Sequence, residues 1–137
     1  MAKPISLQYL AGFFDGEGCI TSEKKKRGRR VPTLRINVFQ KYPEVLKEFK
    51  RRFGGQIREA GKGQRVGHGF RWYAATVKAY YTLHALLPFL HVKSKQAIVG
   101  MKLASRSMAN ARHKPISSKE VNLRERLAWR LKRLKRL

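Results

Sequence analysis

The chain has 137 residues, 42% of them hydrophobic, and sets 32 Lys and Arg against 8 Asp and Glu for a formal charge of +24. That length suits one domain, 1–137, with its own core. No apolar run approaches the roughly 20 residues of a membrane-spanning helix, so the charge points to a polyanion and not to a bilayer.

Residues 6–17 read as the first helix, with Ser6 as its N-cap. Its apolar residues Leu7, Tyr9, Leu10, Ala11, Phe13 and Phe14 fall on every side, and a helix apolar all round must be buried all round. One flank can cover a sheet of the same subunit. The other needs a partner, and Gly12 and Gly16, four apart on one face, let a second backbone approach closely. A second copy of the helix is the simplest partner, with Leu10, Ala11, Gly12, Phe14, Asp15 and Gly16 as the expected homodimer interface. Asp15 and Glu17 stand one residue apart on a chain with few acids. Carboxylates weaken the hold on a polyanion, so a close pair there points to a divalent metal shared with phosphate oxygens.

A strand from Cys19 to Glu23 then runs into the basic segment Lys24, Lys25, Lys26, Arg27, Gly28, Arg29, Arg30, a hairpin tip suited to phosphate contacts. The next strand alternates, with Leu34, Ile36 and Val38 on a core face and Thr33, Arg35 and Asn37 on a polar one. Residues 43–53 form a helix with proline in its first turn, Val45, Leu46, Phe49 and Phe53 as its buried stripe, and Gly54-Gly55 after it. Residues 56–60 and 70–76 pair as a second hairpin across a loop that holds Lys62 and Arg65. Helices follow over 78–87 and 94 to about 106, where the core ends. A basic C-terminal helix spans about 118–137, with Ser117 and Glu120 as a capping box and Leu127, Leu131 and Leu134 as its stripe. It is either a solvated cover or a further contact to phosphates or to the other subunit. The order is that of an α+β fold with all four strands in one antiparallel sheet.

The lone cysteine, Cys19, excludes an intrachain disulfide and is expected to pack at the start of the first strand. Lys3 and Pro4 lead straight into the first helix and do not read as a secretory signal, so the expected setting is intracellular and reducing, a prokaryotic cytoplasm or an organelle. His68, His84, His91 and His113 have no metal-site spacing.

The nonapeptide Leu10-Ala11-Gly12-Phe13-Phe14-Asp15-Gly16-Glu17-Gly18 resembles the LAGLIDADG motif of homing endonucleases, and the element order from about residue 6 to 106 resembles that family's αββαββα core. The resemblance implies a homodimer, because the motif occurs once, and metal-dependent double-strand cleavage of a long pseudo-palindromic DNA site, leaving short 3′ overhangs. It implies that Glu17, with the Gly16 carbonyl, binds Mg²⁺ (or Mn²⁺ in its place). Glutamate where the family more often has aspartate adds a methylene, and Asp15 is assigned to the motif turn as readily as to metal. It further implies that Gln40 orders active-site water and that Lys93, with Lys95 as fallback, supplies a catalytic cation; either lysine is otherwise a plain phosphate contact. A basic side chain that relatives carry early in the second helix is replaced by Glu44.

Double-stranded DNA would be read by outward strand residues Thr21, Glu23, Lys25, Thr33, Arg35, Asn37, Gln56, Arg58, Arg71 and Tyr73. Lys24, Lys26, Arg27, Arg29 and Arg30 would sit on the phosphates. An intron RNA maturase or a non-cleaving DNA-binding regulator on the same scaffold are the alternatives. The intact Glu17 speaks against a maturase alone, whereas a regulator would bind tightly without metal-dependent cuts.

Overall fold

Helix α1 (Leu7–Glu17) starts where the Ser6 hydroxyl accepts the Tyr9 N–H at 3.0 Å, the cap that the sequence predicts. The structure, a computed structural model, describes residues 4–24, 31–61, 67–109 and 115–136. Lys25, Lys26, Arg27, Arg29 and Arg30, together with Lys62, Arg65 and His113, lie outside the described residues.

From α1 the chain passes directly into β1 (Gly18–Glu23), which pairs with β2 (Thr33–Gln40) in a register that opposes Gly18 to Val38 and Glu23 to Thr33. Helix α2 (Glu44–Phe53) follows, with Pro43 at its N-cap instead of inside the first turn. It ends at Gly54 and Gly55, whose φ angles of 78° and 84° suit glycine alone. Strands β3 (Gln56–Ala60) and β4 (Gly69–Ala75) form the second hairpin. Thr76, predicted as the last residue of that strand, instead opens α3 (Thr76–Leu86) with a φ of 47°. A 3-10 turn (Leu87–Phe89), α4 (Ser94–Ala109) and α5 (Ser118–Leu134) complete the chain.

The four strands make one antiparallel sheet, as predicted, and their order is β1-β2-β4-β3. Alternation decides what each face does. Ile20, Leu34, Ile36, Val38, Trp72 and Ala74 are buried on one face in a core shared with Leu10 and Phe14 of α1, Leu46 and Phe49 of α2, Leu83 and Leu86 of α3, and Ala97 and Ala104 of α4. Each large side chain so buried contributes about 2 kcal/mol, which holds every helix on that side and leaves the other face of the sheet bare. Trp72 anchors the far half: its indole N–H donates to the Gly54 carbonyl at 2.8 Å and its ring lies 4.9 Å from that of Phe49.

Helix α5 runs along the free edge of β1, where a strand otherwise offers unpaired backbone groups. Glu125 pairs with Lys24 at 2.7 Å near one end of β1, and Lys135 Nζ lies 3.1 Å from Cys19 Sγ at the other. Its stripe is as predicted, with Leu131 buried and Leu127 and Leu134 partly so. The capping box is only half formed. Ser117 accepts the Glu120 N–H at 3.1 Å, but the Glu120 carboxylate is turned to Arg106 and to the buried Arg124. Among the described residues no helix is long and apolar enough to cross a membrane.

Candidate nucleic-acid interface and cleavage centre

The bare face carries the side chains that alternation assigned to it. Register sets Thr21 beside Arg35, Glu23 beside Thr33, Asn37 between Cys19 and Tyr73, and Arg71 between Phe39 and Arg58. They hold one another upright. The Arg35 guanidinium lies 4.6 Å from the centre of the Tyr73 ring and Arg58 lies 5.3 Å from it. The Tyr73 hydroxyl donates to Gln56 Oε1 at 3.0 Å, and Arg35 pairs with Glu23 at 2.6 Å. Each such exposed cation–π contact is worth about 0.5–1 kcal/mol, enough to bias long side chains toward one rotamer before any ligand arrives. The face can therefore present guanidinium, amide and phenol groups to base edges or phosphates at low ordering cost.

Three cations belong to the site more closely than the sequence suggested. Lys132, Lys135 and Arg136 of the α5 end line a groove with Thr21 and Ser22, beside the bare face. The signal was present: no acid follows Glu125 in the sequence. Phe39, on the bare face under Arg71 at 5.6 Å, was also missed, although the β2 alternation includes it. Lys24, expected on phosphate, is engaged by Glu125 instead. Lys95 is exposed in the first turn of α4.

At the end of α1, Glu17 is exposed and, among the described residues, has neither hydrogen bond nor ion pair. Gly16 beside it is exposed as well. Among the described residues no three His, Cys, Asp or Glu side chains converge, so one chain offers a carboxylate and a carbonyl and no closed cage. Such hard, incomplete oxygen donors fit a divalent cation that completes its shell with phosphate oxygens and water.

Asp15 does not touch this set. Its carboxylate accepts the backbone N–H groups of His91 at 2.7 Å, Val92 at 3.2 Å and Lys93 at 3.0 Å. The Lys93 ammonium in turn donates to the Asp15 carbonyl at 2.6 Å. The predicted lysine thus stands at the motif turn. Gln40 lies at the same end of the sheet, two residues past the Val38 that faces Gly18, and its Oε1 accepts the Lys41 N–H at 2.8 Å. Among the described residues it has no hydrogen bond to Glu17 or Lys93. Glu44 occupies the first turn of α2.

The expected interface set needs correction. Leu10, Ala11 and Phe14 are 0% exposed within the single subunit, and Asp15 is held by its own chain. The reason is helical period: Leu7, Leu10, Ala11 and Phe14 form the stripe that the subunit's own core takes. The opposite stripe is Tyr9, Gly12, Phe13 and Gly16; Tyr9 is 54% exposed, and a Cβ at Gly12 or Gly16 would meet nothing within 4 Å.

The model of the LAGLIDADG endonuclease family matches residues 10–97. No curated protein sequence matches the chain. Among solved structures, the fold is similar to that of the archaeal intron-encoded homing endonuclease I-Vdi141I complexed with DNA, at a TM-score of 0.75 and 22% identity over 93% of this chain and 82% of that one. It is also similar to the homing endonuclease I-CvuI in complex with its target, at 0.73 and 21% over 93% and 80%, and to I-TnaI, at 0.68 and 17% over 98% and 96%. I-GzeII, by contrast, is covered over only 44% of its length. A family model that spans most of the chain, on a fold these nucleases share, places the protein in the LAGLIDADG endonuclease family.

Proposed function

We propose that the protein is a site-specific DNA endonuclease that acts as a homodimer on a long pseudo-palindromic target, makes metal-dependent double-strand breaks and serves intron homing. The observation that carries this is Glu17, an exposed carboxylate without a partner among the described residues, at the edge of a cation-lined sheet face, with Lys93 tied to the same turn. A purely DNA-binding surface would gain affinity by losing that charge. Intron homing rests on likeness alone, since I-Vdi141I is described as intron-encoded; for the metal, I-CvuI has been seen with its target and calcium and, with the DNA not cleaved, with another target and magnesium.

Glu17, with the Gly16 carbonyl, would hold Mg²⁺, for which Mn²⁺ is the natural substitute; when bound, the cation supplies Lewis-acid activation of water and of the scissile phosphodiester. The chain's own groups do the rest. The bare face grips the duplex and brings one phosphate to the end of α1. The Lys93 ammonium, with two donors left after Asp15, stabilises the charge that develops on the phosphoryl oxygens or the leaving oxygen. Gln40 offers its amide nitrogen to water at that end of the sheet. Two copies, each with one Glu17, account for two cuts.

The test is selection of bound molecules from a library of randomised duplexes in the absence of metal, followed by a cleavage assay on the recovered site. Double-strand cutting with Mg²⁺ or Mn²⁺ and none with chelator is expected. A protein that binds its selected site tightly and never cuts it is a regulator, and the proposal fails.

A further inference from the structure

We infer that Asp15 is the positioning residue for Lys93, fixing both where the lysine's backbone lies and where its ammonium points. The inference rests on the proposed role of Lys93 in cleavage. A single residue makes four hydrogen bonds to a segment 76 to 78 positions away in sequence: three through the carboxylate to the N–H groups of His91, Val92 and Lys93, and one through its carbonyl to Lys93 Nζ. Those N–H groups lead straight into α4, whose first N–H groups have no partner within the helix and make its start electropositive. A carboxylate is at home there. What it secures is more than a helix start, because Lys93 has a flexible four-carbon stem that left alone would spread its charge over many rotamers. The bond to the Asp15 carbonyl selects one direction. Gly16 and Glu17 follow in the same last turn of α1, so one rigid helix end carries the metal-binding oxygens and sets the lysine beside them.

A purely structural cap would show itself in stability, whereas a positioning residue shows itself in rate and only through Lys93. A double-mutant cycle separates the two. Single-turnover cleavage at saturating protein is measured for wild type, Asp15→Asn, Lys93→Ala and the double variant, with Mg²⁺ and the selected duplex. Asn keeps the shape and one oxygen acceptor but loses the charge and the second. Asp15→Asn is expected to cut about tenfold slower with duplex affinity within about twofold, Lys93→Ala about a hundredfold slower, and the double variant no slower than Lys93→Ala alone. If Asp15→Asn costs the same factor in the Lys93→Ala background, the two residues act independently and the inference is overturned while Lys93 keeps its role. Asp15→Asn at wild-type rate overturns it as well, and Lys93→Ala at wild-type rate removes the premise. Should Asp15→Asn not fold, Asp15→Glu, which keeps the charge and both acceptors, goes through the same cycle and is judged by the same additivity.

Discussion

Two carboxylates end a helix that has no basic residue in its last turn, against the local preference for cations at a helix C-terminus. Asp15 escapes that cost through three N–H partners, and Glu17 does not. Left alone, Glu17 should be slightly destabilising, by about 0.3–1 kcal/mol. Glu17→Gln is therefore expected to melt no lower than wild type, to bind the duplex equally or more tightly, and to lose Mg²⁺-dependent cleavage; near wild-type cutting by this variant would remove the metal assignment. Arg35 stands on the other side of that divide, on the reading face and not at the turn. Arg35→Ala should weaken duplex binding by about 1–3 kcal/mol and relax discrimination at the base pair it reads while the bound complex still cuts, seen by comparing titrations on the selected site and on its single-base variants with single-turnover rates. A large rate defect at full occupancy would move Arg35 into the cleavage centre. That Glu17 ends α1 was legible in the sequence because its neighbours form a motif, and Lys93 is found at that same turn. The partners of Asp15 and of Lys24 were not, since both lie far along the chain and no local pattern encodes which distant segment folds back.

The elements were read from their periods, and those held where burial enforces them. The alternation in β2 separates core from bare face residue by residue, because a slip of one would drive Arg35 inward and Ile36 out. Ends were less legible: Thr76 continues the strand-like run of β4, yet tertiary packing turns it into α3. Helix α5 was visible as amphipathic, but its dock was not, because that depends on a charged cluster between helices. Glu120 accepts from Arg106 of α4 and from Arg124, whose side chain is buried and also donates to the Arg106 carbonyl at 3.1 Å. Arg106 first and Arg124 second hold the Glu120 carboxyl below its ordinary value of 4.5. A lowered carboxyl value means that this contribution is present above the unfolded-state value and is lost as pH falls through the folded one. Glu120→Gln, which leaves Arg124 buried without its charge partner, should lose about 2 kcal/mol at neutral pH. The gap between wild type and variant should close as pH is lowered below 4.5. Thermal melts across that range check it; a gap that stays constant would mean that Glu120 acts through shape and not through charge.

At the scale of the molecule, the sheet turns its charged face one way and its core the other, while α1 is left with one stripe satisfied and one open. An apolar-all-round helix showed that a partner is needed, but not which stripe the subunit would keep; that is why Leu10, Ala11 and Phe14 were expected at the interface and are found in the core. The open stripe has the shape a second backbone needs, two glycines flanked by Tyr9 and Phe13, whose rings lie 6.3 Å apart. If it is the homodimer contact, substitution there should separate folding from assembly. A Cβ at Gly12 meets nothing within 4 Å in its own subunit, and replacing a mid-helix glycine by leucine gains about 0.8 kcal/mol of helix preference. Gly12→Leu is thus expected to fold at least as stably as a subunit, yet to hold the two α1 helices apart, since closed two-fold contacts repeat any intrusion twice. Light scattering should report monomers where wild type gives dimers, single-strand nicking at most should replace double-strand cutting, and circular dichroism should be unchanged. A Gly12→Leu protein that remains dimeric and cuts both strands would place the interface elsewhere on the molecule.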